Sequence, residues 1–155
     1  METHMLEHVP PDPEYAARVR SSFERQAVMA TFGATLERVG AGEVEIAWPY
    51  RAELSQQHGF LHAGILATML DSACGYAAFS LMPADAAVLS VEFKLNLLAP
   101  AAGERFVARA RVIRPGRTLT VCEADAWAIR DGAEKRVATM LGTMMCVRDN
   151  PALSG

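Results

Sequence analysis

From Ala63 to Met82 the chain runs 20 residues with a single charged side chain, Asp71. A segment that is apolar on nearly every side has to be enclosed by other parts of a structure. A bilayer is one enclosure, but the run suits it poorly. Much of it is Ala, Gly, Ser and Thr, Pro83 bounds it, and basic flanks are missing. A helix buried inside a protein domain is the expected form. The chain has 155 residues, 51% of them hydrophobic, which suffices for one core and not for two. The wrapping material therefore comes from the same small domain.

That material reads as strands. Asp12-Pro13 has the form of an N-cap with proline at the first helical position. It opens a short helix through Tyr15, Val19 and Phe23 that breaks and resumes toward Met29. After the turn at Val39-Gly40-Ala41-Gly42, the residues Val44, Ile46 and Trp48 alternate with Glu43 and Glu45, which is strand periodicity. Pro49 ends that strand, and a loop over residues 50–60 leads into the apolar helix. Beyond Pro83, Leu89, Val91, Phe93, Leu95 and Leu97 alternate with Ser90, Glu92, Lys94 and Asn96. Further strands are expected through Phe106–Val112, Leu119–Ile129 and Arg136–Val147. Turns at Pro100–Gly103, Pro115-Gly116 and the hairpin dipeptide Asp131-Gly132 separate them. The fold class is α+β, a sheet curled around one long central helix in a single domain. Residues 1–30 are expected to form an N-terminal helical segment, 31–148 the main domain, and 149–155 a flexible tail.

A net charge of −3 argues against nucleic-acid binding, which requires a basic surface. The three cysteines, Cys74, Cys122 and Cys146, form no C-x-x-C pair, and residues 1–12 carry no apolar run of the kind a secretory signal needs. A reducing cytoplasm is the expected location. His58 and His62 stand four apart, as zinc ligands on a helix do, but no third ligand follows at a suitable spacing, so no metal and no other cofactor is expected.

The chemistry centres on Asp71. Its neighbours at three and four residues, Ala67, Thr68, Cys74 and Gly75, offer no countercharge, and a lone carboxylate in so apolar a helix is costly unless it has a use. The helix N-terminus at Ala63 and Gly64 presents unpaired backbone N–H groups and the positive end of the helix dipole, which together polarise a carbonyl oxygen. Gln56 and Ser90, taken alone, read as ordinary surface polar residues.

Together, His62-Ala63-Gly64, Asp71 and Gly75-Tyr76-Ala77 resemble the signature of hot-dog-fold acyl-CoA thioesterases of the phenylacetate-pathway (PaaI-like) family, H-G-G followed by Asp and then G-x-A. The strand at Leu89-Ser90-Val91-Glu92-Phe93, the Pro100 turn with Gly103-Glu104, and Gly116-Arg117-Thr118-Leu119 are similar to landmarks of the same family. The resemblance implies that Asp71 acts as general base or nucleophile, that the Ala63 N–H holds the thioester oxygen, and that Gln56 and Ser90 line the site. It also implies that His62 orients the loop. Ala63 stands where the family has the first Gly of the pair. The N–H survives that change, but the added methyl crowds the acyl group or shifts the backbone.

Eight helical residues separate Ala63 from Asp71, about 12 Å of rise. A base has to come within about 3 Å of its target. One subunit therefore cannot bring both groups to one thioester, whereas two antiparallel helices in a symmetric homodimer can. The resemblance extends this to pairing of dimers into a homotetramer. Coenzyme A phosphates favour arginine, and Arg114 and Arg117 beside Pro115-Gly116 are candidates, together with Gly64 for close ligand approach. Arg109 and Arg111 are the alternative, as a coat on an exposed strand. Two other functions share the scaffold. One is a non-catalytic acyl-CoA-binding module, favoured by Ala63 and disfavoured by Asp71. The other is a hydratase, for which an Asp-x-Asn-x-x-His motif is missing.

Overall fold

The computed structural model describes residues 7–155, so His4 and the first half of the N-terminal stretch lie outside it. Helix α1 spans Tyr15–Arg25 and α2 Ala27–Phe32, and the expected break falls at Gln26, whose extended backbone closes one helix and opens the next. The entry to α1 differs from expectation. Glu14 is the N-cap, and Asp12 acts from two residues ahead, accepting the Glu14 N–H at 2.9 Å. Strands β1 (Thr35–Gly40) and β2 (Glu43–Pro49) follow, then α3 (Ala63–Phe79). Strands β3 (Ala87–Leu97), β4 (Arg105–Arg114), β5 (Leu119–Arg130) and β6 (Ala133–Val147) complete one antiparallel sheet ordered β1-β2-β4-β5-β6-β3. Asp131 and Gly132 both take positive φ (49° and 76°), the type I′ geometry that matches strand twist in a two-residue hairpin.

The concave face of the sheet encloses α3. Leu66, Met69, Leu70, Ala73, Cys74, Ala77, Ala78 and Phe79 of the helix are buried against Val44, Ile46, Trp48, Phe106, Met140 and Met144. Alanines at 108, 110, 124, 126, 128 and 138 pave the inner face and let the helix lie close to the strands. No helix among the described residues is long and apolar enough to cross a membrane.

The enclosure is incomplete. Gly64, Thr68, Asp71 and Gly75 stay partly or fully exposed, and their spacing places them on one stripe of α3. Beside this stripe runs β3, an edge strand of 11 residues with Leu89, Val91, Phe93 and Leu97 all substantially exposed. Strict alternation would put Ser90 on the opposite face from Phe93, Leu95 and Leu97. A bulge between Ser90 and Glu92 prevents this. Ser90 lies opposite Met144, Phe93 opposite Gly142 and Leu95 opposite Met140, so all three point to the helix side.

Arg18 ties α1 to the far end of α3. Its guanidinium donates to the carbonyls of Pro83 (2.6 Å), Met82 (2.8 Å) and Phe79 (3.1 Å), pairs with the buried Asp12 at 3.1 Å, and lies over the Phe79 ring. Hydrogen bonds from a charged donor such as this guanidinium are about twice as strong as neutral ones. Arg18→Ala is expected to cost about 3 kcal/mol. A thermal melt would then show Tm lowered by about 6–12 °C.

Candidate active site

The loop before α3 is held by backbone bonds: Gln56 N–H to the Phe60 carbonyl (2.9 Å), Leu61 N–H to Ala101 (3.0 Å) and His62 N–H to Leu54 (2.9 Å). Gly59 sits at φ +84°, a left-handed turn that an L side chain resists. His62 is the N-cap of α3, and its Nδ1 accepts the Gly64 N–H at 2.8 Å. In the neutral ring the hydrogen is therefore on Nε2. A Cβ on Gly64 would stand 3.0 Å from that Nδ1, so glycine makes the cap possible. The Gly64 N–H is consequently taken by His62 and is not open to a ligand. Ala63, as the first helical residue, has no intrahelical acceptor, and its N–H makes no hydrogen bond among the described residues. One free amide at the positive end of a 17-residue helix is what an incoming carbonyl oxygen needs.

Asp71 lies two turns along the exposed stripe. Ser90 Oγ donates to Asp71 Oδ1 at 2.6 Å, a contact that the β3 bulge makes possible. No lysine or arginine among the described residues forms an ion pair with Asp71. The serine occupies one carboxylate oxygen and leaves the other free.

The two halves do not meet within one chain. Gln56, His62 and Ala63 line a cavity of about 590 Å³ together with Leu97, Leu98 and Pro100. Asp71 and Ser90 line another of about 170 Å³, and no residue is common to both. Gln56 contributes its backbone to the loop and its Oε1 accepts the His58 N–H. Among the described residues no three His, Cys, Asp or Glu side chains cluster as a metal site.

The arginines divide cleanly. Arg109 pairs with Glu134 at 2.6 Å and also approaches Glu45, and Arg111 pairs with Glu123, so both coat the outer face of the sheet. Arg114 and Arg117 are exposed and enter no ion pair among the described residues. Their turn adjoins the Asp71 end of β3, since Leu119 pairs with Met145 and Met145 with Leu89. Gly116 holds that turn, because a Cβ there would collide with the Leu119 carbonyl.

Four side chains at the Asp71 cavity were not legible as site residues: Ser22 and Gln26 from the N-terminal helices, and Ser72 and Tyr76 from α3. Tyr76 stands within the Gly75-Tyr76-Ala77 landmark, but nothing local in the sequence links it to Gln26, 50 residues away.

A curved six-stranded antiparallel sheet around one long helix is a hot-dog fold. The chain belongs to the Thioesterase superfamily, whose family model matches residues 58–134. It is similar to the crystal structure of a thioesterase family protein from Silicibacter pomeroyi, at 61% identity and a TM-score of 0.86, covering 86% of this chain and 98% of that one. A Halobacterium salinarum protein, provisionally named an esterase, is 30% identical over 143 residues, 87% of this chain and 94% of its own length. The PaaI protein of the E. coli phenylacetic acid degradation operon shares the fold at 21% identity and a TM-score of 0.77, covering 86% of this chain and 94% of that one. Membership supports a hydrolase.

Proposed function

We propose that the protein hydrolyses acyl-CoA thioesters at sites built from two subunits. The observation that carries this reading is the division of the machinery. The free Ala63 N–H and the Asp71–Ser90 pair open into separate cavities, yet both border the uncovered stripe of α3 and the exposed edge β3. Along β3, Ser90 stands near Asp71, and Leu97 lines the Ala63 cavity. A twofold axis near Phe93 would exchange these ends, pair the two edge strands, and bring Asp71 toward Ala63 of the partner subunit. The small residues Gly64, Thr68 and Gly75 permit two helices to approach along that stripe.

In such a site the thioester oxygen accepts from the Ala63 N–H, and the dipole of α3 stabilises the negative charge that develops on it. As general base, the free oxygen of Asp71 takes a proton from water. The water oxygen bonds to the acyl carbon, the C–S bond breaks, and the proton passes to the departing CoA thiolate. As nucleophile, Asp71 would itself attack the acyl carbon, the C–S bond would break to release the CoA thiolate, and water would open the resulting mixed anhydride, returning the Asp71 carboxylate, releasing the acid and giving up a proton to the thiolate. Ser90 fixes the carboxylate in either case, His62 fixes the N-terminal turn, and Gln56 lines the oxyanion side. Arg114 and Arg117 supply unpaired charge for the CoA phosphates. Half-exposed Leu119 and Leu141 on the outer face of the sheet support a second contact that pairs dimers into a tetramer.

A thiol-release assay over phenylacetyl-, hydroxyphenylacetyl-, benzoyl- and straight-chain acyl-CoA tests the reading. Release of CoA from at least one ester is expected. Tight binding of these esters without thiol release would establish the binding module instead.

A further inference from the structure

The cavity beside Asp71 has a polar far wall, and two of its members, Ser22 and Gln26, come from outside the stretch the family model matches. Gln26, at the elbow between α1 and α2, accepts from the Tyr76 hydroxyl at 3.1 Å and donates to Ser72 Oγ at 3.4 Å. Ser22 Oγ in turn donates to the Tyr76 oxygen at 3.5 Å. Only Gly75 and Val88 contribute apolar or bare lining. Two of these three hydrogen bonds lie at the long limit for such contacts, so the groups are free to exchange partners with a ligand. A Cβ built on Gly75, one turn beyond Asp71, would meet no atom of this chain within 4 Å, which leaves that side of the cavity open toward the proposed partner helix.

Charge narrows what the cavity admits, a space of about 170 Å³ that opens along the uncovered side of α3. No lysine or arginine lines it and Asp71 stands at its mouth, so an acyl group ending in a carboxylate is disfavoured. Burial raises the Tyr76 pKa, which keeps the phenol neutral.

We infer that the α1–α2 elbow is the specificity element of the site: Gln26, backed by Tyr76 and Ser22, selects acyl groups that end in a neutral hydrogen-bonding group. The inference rests on the proposal above that Asp71 marks the position of the thioester. A plain alkyl end would cover the second Gln26 amide N–H, which has no hydrogen-bond partner among the described residues, without offering it one, and sites built to hydrogen-bond a ligand reject analogues that lack the matching group.

The test separates binding from turnover by using two thioethers that cannot be hydrolysed, S-hexyl-CoA and S-(6-hydroxyhexyl)-CoA, titrated calorimetrically against the full-length protein. The hydroxylated compound is expected to bind about tenfold more tightly, the effect of one added hydrogen bond. Gln26→Leu should abolish or invert that preference. The helix break survives the change, because only the backbone of Gln26 caps, and a melting curve checks the fold. Tighter binding of the plain chain by the unaltered protein, or a preference unchanged in Gln26→Leu, would overturn the inference. Failure of the catalytic reading looks different: Asp71→Asn would keep its turnover while the Gln26-dependent preference persisted.

Discussion

Asp71→Asn is expected to lower kcat on acyl-CoA at least ~10²-fold, the usual scale for a lost general base. The substitution is close to isosteric, and the asparagine oxygen can still accept from Ser90 Oγ, so the 2.6 Å contact that anchors the side chain has a counterpart in the variant. Among the described residues Asp71 forms no ion pair whose loss would disturb packing. The fold and the oligomer should therefore persist, as shown by an unchanged elution volume and a Tm within a few degrees of the parent. Hydrolysis at the parental rate across the ester panel would remove Asp71 from the mechanism.

Ala63→Pro should lower kcat by a further distinct route, ~10²–10³-fold, the range seen when one oxyanion donor is removed. Proline deletes the N–H and little else at this position. It is favoured at the first helical residue, and His62 before it already has the extended backbone (φ −64°, ψ 138°) that a following proline demands. The sharper experiment combines the two variants. If each site takes Asp71 from one subunit and Ala63 from the other, a mixed dimer of Asp71→Asn and Ala63→Pro chains contains one wholly intact site. Random co-assembly makes half the dimers mixed, so co-expression should restore about a quarter of the parental activity from two nearly inactive proteins. No recovery in mixtures whose mixed dimers are verified by mass would rule out the shared site.

Family membership bears on the class of reaction, and the geometry on which atoms carry it out. Departure from the H-G-G pattern at Ala63 leaves its amide free. Gly64, whose N–H was open to consideration as a ligand donor, is instead the acceptor's partner that lets His62 cap the helix. Arg109 and Arg111 are accounted for by outer-face ion pairs. Among the described residues, Arg114 and Arg117 remain as cations without an ion pair at the Asp71 end of the sheet.

Much of the architecture was legible because the signals are local. A run apolar at every helical phase has to be enclosed, alternating apolar residues mark strands, and Asp131-Gly132 supplies the two positive φ angles of a tight hairpin. The helix break near Gln26 and the isolation of Asp71 belong to the same category. Tertiary structure alone decided the rest. One inserted residue at Val91 reverses the face of everything before it, and a pattern of alternating apolar side chains does not reveal it. Pairing of β3 with β6 leaves β3 as a long apolar edge, a matter of contacts between residues about 50 positions apart. Gln26 reaches Tyr76 over the same kind of separation. Periodicity and backbone preference are properties of neighbouring residues, whereas the meeting of Ser90 with Asp71 and of Gln26 with Tyr76 depends on how distant segments close on one another.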